Sequence, residues 1–230
     1  MIGFFNYTVI LTYISLASSV IGILFTNSPE DVSIGIFCLA FSGLLDAFDG
    51  RIARTKTDRT LDEKRYGVQI DSLCDIICFG VLPVIICWHS GMNTIHGCII
   101  LVLYCLAGLI RLAYYNVLEE GKMTESDTTA ENGKKYFRGM PITSIAIGLP
   151  VIYLSSPLFK HYFIYVLEFI MLLAAILFVI NFKFAKPTTK QLIIIIIIVA
   201  VAVLSLKYCF NWKQFVHWSF GGLLTIFRKG

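Results

Sequence analysis

Charge is scarce in this sequence of 230 residues, and the shortage excludes an ordinary soluble domain. Charged residues make up 15% of the chain against 57% hydrophobic residues, and the mean hydropathy is +0.77. Soluble domains typically carry about 25% charged residues. The composition therefore predicts an all-α integral membrane protein.

The sequence also lacks the signatures of several other protein classes. It has no Gly-rich phosphate loop, no Ser-His-Asp arrangement, no internal repeat and no nucleic-acid-binding signature, so no nucleic-acid partner is expected. Its four histidines share no ligand spacing, and its seven cysteines form no C-x-x-C pair or disulfide framework. Cys74 and Cys78 are four residues apart, which packing explains better than metal binding. Residues 1–6 lack a basic n-region, so no cleavable signal is expected.

Long apolar stretches mark the candidate membrane spans, which need roughly 20 residues each. They cover residues 6–26, 32–54, 66–89, 95–117, 141–156, 161–182 and 192–206. A last segment, 212–227, has aromatic and basic ends that suit either a short span or a helix lying on the membrane. We therefore expect a transmembrane core over residues 1–182 and additional helices over 183–230.

Basic residues predict the orientation of these spans. Lys and Arg concentrate between the second and third stretches, after the fourth and after the sixth. Because cytoplasmic loops are enriched in Lys and Arg, the N-terminus and these three connections are predicted to lie in the cytoplasm, with the protein in the cell membrane. Two of the connections, 55–66 and 119–135, are polar enough to predict flexible, solvated loops. The basic residues of the first are also placed to meet phosphate groups.

Four carboxylates interrupt the apolar pattern of the second and third spans, namely Asp46, Asp49, Asp71 and Asp75. An acid inside a membrane helix costs roughly 2.5 to 3.5 kcal/mol on insertion scales. Four acids together need a compensating partner, for which a divalent metal ion is the best candidate.

Helical spacing predicts that the four acids meet. The first two are three residues apart and the last two are four apart, so each pair forms one stripe on its own helix. At about 1.5 Å per residue, the first pair lies roughly 7 to 12 Å below Arg54 and the second roughly 9 to 15 Å below Arg65. If the two arginines mark one membrane face, the acids form a single pocket that opens to the cytoplasm.

Small and hydroxyl-bearing residues accompany the acids. Gly50 and Ala53 serve either close helix packing or, as we favour, an exposed backbone that meets a flat or phosphorylated ligand. The hydroxyls of the first span, including Thr12 and Ser15, are expected to bond within or between helices; lining of a polar site is the alternative.

The fourth span ends with I-R-L-A-Y-Y-N-V, which contains Arg111 and Asn116. The arginine either extends to the membrane surface or, with Asn116, faces the acidic pocket and binds a substrate carboxylate. Basic residues before the fifth span, including Lys135, mainly predict a cytoplasmic anchor and secondarily a contact with a phosphorylated substrate.

An intramembrane acidic pocket serves either phosphoryl-group transfer or ion transport. In transfer, metal ions neutralise phosphate charge and a carboxylate takes the proton of an attacking hydroxyl. In transport, the acids bind a cation or relay protons. The outward halves of the spans offer few polar residues, which favours transfer.

The acids and their small neighbours resemble the signature of the CDP-alcohol phosphatidyltransferases, membrane enzymes that join a CDP-activated lipid to an alcohol and release CMP. The matching spacing is Asp46-x-x-Asp49-Gly50-x-x-Ala53-Arg54 followed by Gly67-x-x-x-Asp71-x-x-x-Asp75. The resemblance implies a six-helix core, here with one or two extra C-terminal helices, and a homodimer. The linker from Arg54 to Gly67 is longer than is usual in the family, which affects the loop and leaves the acid spacing intact.

The resemblance also implies residue roles. All four acids would bind one or two magnesium or manganese ions, with Asp75 also acting as the general base for the acceptor hydroxyl. The CDP pocket would be formed by the first three acids together with Gly50, Ala53, Arg54 and Gly67.

Two further segments, I-R-L-A-Y-Y-N-V and F-R-G-M-P-I-T-S, resemble the phosphatidylserine synthase branch of that family. This implies CDP-diacylglycerol and L-serine as substrates, and phosphatidylserine and CMP as products. Arg111, Asn116 and Lys135 are then candidates for binding the acceptor. Glycerol phosphate and inositol phosphate are the alternative acceptors.

Overall fold

The structure is a computed structural model that describes residues 7–53, 55–56, 58, 60–124, 136–159, 162–181 and 183–185. The seventh apolar stretch and the last segment lie outside the described residues. The predicted C-terminal helices, and the division of the chain after residue 182, therefore stay predictions.

Helices account for nearly all of the described chain. After a 3-10 turn at Tyr7–Val9, the elements are α1 Ile10–Phe25, α2 Val32–Ala53, α3 Leu61–Asp75, a π-helical segment Ile76–Val81, α4 Leu82–His89, α5 Ile95–Thr124, β1 Tyr136–Arg138, a 3-10 turn Ile142–Ser144, α6 Ile145–Leu154, α7 Ser156–Phe159, α8 Phe163–Val179 and β2 Lys183–Ala185. The two strands pair antiparallel, with Phe137 opposite Phe184.

Six apolar rods form the membrane bundle within the described residues. Those at Val32–Gly50, Leu61–His89 and Ile95–Gly121 are long enough to cross a membrane, and those at Ile10–Phe25, Ile142–Leu154 and Phe163–Val179 are shorter. Large apolar side chains on α5 and α8, such as Ile99 and Phe169, are more than half exposed, as expected for helices that face lipid. The predicted all-α membrane fold is therefore confirmed.

Both predicted polar loops are partly helical, so the loop prediction is wrong for residues 61–66 and 119–124. At the start of α3, the backbone N–H of Glu63 donates to the Thr60 hydroxyl at 3.2 Å, and the backbone N–H of Thr60 donates to the Glu63 carboxylate at 3.1 Å. This capping box starts the helix before the apolar part of the span begins. The ammonium group of Lys56 also pairs with Glu63 at 3.1 Å.

The π-helical segment has an identifiable local cause. Pro83 has no N–H to give to the carbonyl of Phe79, which stands four residues before it. The hydroxyl of Tyr104 on α5 donates to this carbonyl at 2.5 Å, and both residues are fully buried. An altered helical turn is thus fixed directly after Asp75, where α3 ends.

Close packing of α2 on α6 depends on a glycine. A Cβ atom added at Gly43 would lie 2.5 Å from the Cβ of Ala146. The two helices therefore approach closely only because residue 43 has no side chain, as is common between membrane helices.

We predict that Gly43→Leu destabilises the bundle by about 1 to 3 kcal/mol, because the new side chain forces α2 and α6 apart. The melting temperature of the purified protein in detergent measures the effect. Gly148→Leu on α6 is the matched control, since a Cβ there meets nothing within 4 Å. Equal melting temperatures for the two variants would contradict the packing argument.

Candidate active site

Three of the predicted acids converge between the last two turns of α2 and the second half of α3, a place that we call the acidic end of the bundle. Asp46 and Asp49 project from α2, and Asp71 projects from α3. Each offers one carboxylate oxygen, and these oxygens all lie within 4.8 Å of one another. Asp49 is only 9% exposed. Acids from two helices therefore share one place, as the helical spacing predicts, for three of the four acids.

Asp75 lies one helical turn beyond Asp71 and is the last residue of α3. It does not belong to the three-carboxylate group, although it interacts electrostatically with all three members. The π-helical segment Ile76–Val81 follows it directly. The assignment of Asp75 as a metal ligand stays a prediction.

Hydroxyl groups of α1 contact the acidic helix α2. The Thr12 hydroxyl donates to the Asp49 carboxylate at 3.3 Å, and both side chains are buried. Deeper in the bundle, Ser15 and Ser42 each donate to the other's backbone carbonyl, at 3.3 and 3.0 Å, and Ser19 bonds to the Ser42 hydroxyl at 2.8 Å. Thr12 thus reaches the polar site, whereas Ser15 serves the contact between helices.

The two glycines of the signature lie in different surroundings. A Cβ atom at Gly50 would meet nothing within 4 Å, so the backbone beside Asp49 borders open space. Gly67 is half-buried on α3, one turn before Asp71. Ala53 ends α2, and Arg54 lies outside the described residues. The open backbone at Gly50 agrees with the ligand interpretation of that position.

Arg111 contacts one backbone carbonyl at the end of α8 and another in the turn after β1. Its guanidinium donates to the carbonyls of Phe178 at 3.4 Å and Gly139 at 3.3 Å, and it lies 4.7 Å from the ring centre of Tyr115. Gly139 has a φ of +72°, and a Cβ there would lie 2.8 Å from the guanidinium. Arg111 is buried, so these contacts stabilise the C-terminus of α8 with a cation.

Asn116 contacts α3 through both atoms of its side-chain amide. Its side-chain oxygen accepts a hydrogen bond from the Ser72 hydroxyl at 2.6 Å, and its side-chain nitrogen donates to the Gln69 oxygen at 3.2 Å. The predicted acceptor-binding roles of Arg111 and Asn116 stay predictions. Lys135 lies outside the described residues.

Sequence reasoning missed one buried acid, Glu168 in α8. It is 7% exposed, and its carboxylate lies 3.0 Å from the ring of His96, which sits at the start of α5. The signal was present, because Glu168 is the lone acid in an otherwise apolar span. His96 and Glu168 thus meet near the start of α5, whereas Asn116 lies near the end of that helix.

The donor set of the acidic end fits a magnesium or manganese ion. These cations prefer carboxylate and phosphate oxygens, and three carboxylate oxygens are gathered at one place. Like charges so close together repel one another strongly in surroundings of low dielectric constant. A bound divalent cation would offset this repulsion, so Asp46, Asp49 and Asp71 are the residues that would hold it.

Comparisons with known proteins agree with the geometry. The sequence model of the CDP-alcohol phosphatidyltransferase family matches residues 5–181. A CDP-diacylglycerol–serine O-phosphatidyltransferase from Saccharomyces cerevisiae is 35% identical over 130 residues, which cover 56% of this chain and 44% of the relative. One of the same name from Mycobacterium tuberculosis is 29% identical over 141 residues, covering 60% of this chain and 46% of the relative.

An archaetidylserine synthase from Methanothermobacter thermautotrophicus is 33% identical over 129 residues, covering 55% of this chain and 49% of the relative. The matched region thus spans about half the length of each of these relatives. The family match, by contrast, takes in all six apolar rods and every acid of the cluster. This chain belongs to the CDP-alcohol phosphatidyltransferase family.

Proposed function

We propose that this protein transfers a phosphatidyl group from CDP-diacylglycerol to the hydroxyl of L-serine, giving phosphatidylserine and CMP. The observation that carries the proposal is the convergence of Asp46, Asp49 and Asp71 within a chain of this family. The names of the relatives support serine as the acceptor. The yeast and archaeal names share serine while they differ in the lipid that carries it.

In the proposed reaction, the serine hydroxyl oxygen attacks the phosphorus of the phosphatidyl group. The bond between that phosphorus and the oxygen bridging to CMP breaks, and CMP leaves with the electron pair. A magnesium or manganese ion, when bound, neutralises charge on the pyrophosphate. Asp46, Asp49 and Asp71 hold the ion, and the backbone at Gly50 leaves room for the nucleotide end of the donor.

Asp75 accepts the proton of the serine hydroxyl in this proposal. A hydroxyl is a weak nucleophile at neutral pH, so a carboxylate that removes the proton accelerates attack. Asp75 is suited to this role because it lies one turn from Asp71 and outside the three-carboxylate group.

We further propose that the acidic end faces the cytoplasm, together with the N-terminus. The support is the excess of Lys and Arg in the connections that adjoin this end of the bundle. Assembly as a homodimer rests on the family resemblance alone and stays a prediction. Ion-coupled transport, the alternative from a different class, is disfavoured by membership in a transferase family.

Purified protein in detergent, given CDP-diacylglycerol and magnesium, should release CMP when L-serine is added. Release of CMP is the measured quantity, and glycerol phosphate and inositol phosphate are the competing acceptors. CMP formed only with one of these two would reject the serine assignment. Metal flux into proteoliposomes without nucleotide, in the absence of CMP formation, would favour transport instead.

Asp75→Asn should lower the rate of CMP release by about 10²- to 10⁴-fold, because the amide cannot accept the proton. Binding of CDP-diacylglycerol should persist, since the three-carboxylate group is unchanged. Asp62→Asn, the same chemical change at an exposed position of α3, is the matched control and should retain turnover. Full activity of the Asp75 variant would refute the role of this carboxylate.

Gly50→Leu tests where the donor lies. Because a Cβ at this position meets nothing within 4 Å, the variant should fold with a wild-type melting temperature. Its KM for CDP-diacylglycerol should rise by about tenfold or more, since the side chain occupies space assigned to the nucleotide. Gly148→Leu, also in open space, is the control with an unchanged KM. A wild-type KM for the Gly50 variant would place the donor elsewhere.

A further inference from the structure

A polar contact between α3 and α5 lies beside the acids. On α3, Arg65, Gln69 and Ser72 are spaced by four and three residues, so they form one stripe. On α5, Asn116 and Glu120 are four residues apart and also share a face. These two faces meet, and we call the set of five residues the Asn116 seam.

Two hydrogen bonds and one ion pair make up the seam. The Ser72 hydroxyl donates to Asn116 at 2.6 Å, and Asn116 donates to Gln69 at 3.2 Å, so the amide group of Asn116 uses both its acceptor and its donor on α3. One turn further toward the helix start, the guanidinium of Arg65 lies 3.9 Å from Glu120. Each contact joins the same two helices, and together they oppose rotation of α3 about its axis.

Rotation of α3 decides where Asp71 points. Ser72 follows Asp71 directly, and neighbouring residues of an α-helix point about 100° apart. Holding Ser72 against α5 therefore turns Asp71 away from α5 and toward α2, where Asp46 and Asp49 lie. On the other flank of α3, the hydroxyls of Tyr66 and Tyr13 lie 3.3 Å apart and join the helix to α1.

The apolar part of the rod Leu61–His89, which includes α4, does not by itself set the rotation of α3. Between α3 and α4 lies the π-helical segment Ile76–Val81, in which hydrogen bonds span five residues rather than four. The side chains of α3 therefore point in directions that differ from those of a continuous α-helix running through the core. Contacts made by α3 itself, before the π-helical segment, are needed to fix these directions.

We infer that Asn116 is a positioning residue, which acts through Ser72 and Gln69 to aim Asp71 at α2 rather than by binding the acceptor. The effect on turnover rests on the proposed function, whereas the effect on the acidic cluster does not. The inference gives Asn116 a role that differs from the serine contact suggested by its sequence motif.

Two measurements on the purified protein test the inference, namely Mn²⁺ binding and the steady-state constants kcat and KM. Binding of Mn²⁺, measured by electron paramagnetic resonance without substrates, reports on the carboxylate group. Asn116→Ala and Ser72→Ala should each weaken Mn²⁺ binding and lower kcat by about tenfold, the scale on which outer partners of metal ligands act. The KM for serine should stay within about twofold of wild type.

Matched variants keep the test specific. Ser72→Thr retains the hydroxyl and should retain Mn²⁺ binding, whereas Asp71→Asn should abolish it. Val117→Ala changes the neighbouring, 70% exposed residue of α5 and should behave as wild type. The double variant of Ser72 and Asn116 should be no worse than the stronger single variant, because both remove one interaction. If Asn116→Ala does not fold, Ser72→Ala carries the test.

The outcomes separate the two proposals. A serine KM raised about tenfold in Asn116→Ala, with kcat and Mn²⁺ binding unchanged, would assign this residue to the acceptor and overturn the inference. Unchanged values throughout would overturn it as well. If the wild-type protein forms no CMP with serine, the proposed function fails, while the Mn²⁺ measurements still decide whether the seam positions the acids.

Discussion

Repulsion among carboxylates held inside a membrane bundle is the constraint on which the acidic end depends. Oxygens of Asp46, Asp49 and Asp71 lie within 4.8 Å of one another, in surroundings where charges are weakly screened. Contacts between helices must offset this repulsion if the acids are to stay together. The Thr12 hydroxyl does so on α2, and the contact of Ser72 with Asn116 does so on α3. The three carboxylates, held together despite their repulsion, form a site that a phosphate-bound cation would complete.

The acids could be predicted from the sequence because their positions depend on periodicity along single helices. Spacing by three or four residues fixes a stripe, and two acidic stripes near the same basic boundary need only be neighbours to meet. Contacts between distant segments carry no such signal. The carbonyl partners of Arg111 belong to Gly139 and Phe178, which are distant in the sequence. A substrate carboxylate was therefore as plausible a partner for this arginine as these backbone groups. The same limit applies to Asn116.

Other differences between the predictions and the structure arose where the sequence contained the right signal but a stronger one pointed elsewhere. Thr60 and Glu63 stand in the T-x-x-E order of a capping box, yet the charge of the segment favoured a loop. Charged residues indicate that a segment contacts water. A helix that projects beyond the membrane exposes them to water as well as a loop does. Glu168 illustrates the opposite case, since one acid in an apolar span is easily passed over beside a cluster of four. Its carboxylate lies 3.0 Å from the His96 ring, so a buried acid is also present near the far end of α5.

The two kinds of packing in this bundle have different consequences for the site. Apolar contacts such as those of Leu82 and Ile86 stabilise the core, but lipid is equally apolar and these contacts distinguish weakly between similar rotations of a helix. A hydrogen bond of 2.6 Å between Ser72 and Asn116 does distinguish them, because a shift by one residue would break it. The same shift would turn Asp71 about 100° away from α2. A site built from acids on two separate helices therefore depends on polar contacts to those helices, as Thr12 makes to α2 and Asn116 makes to α3.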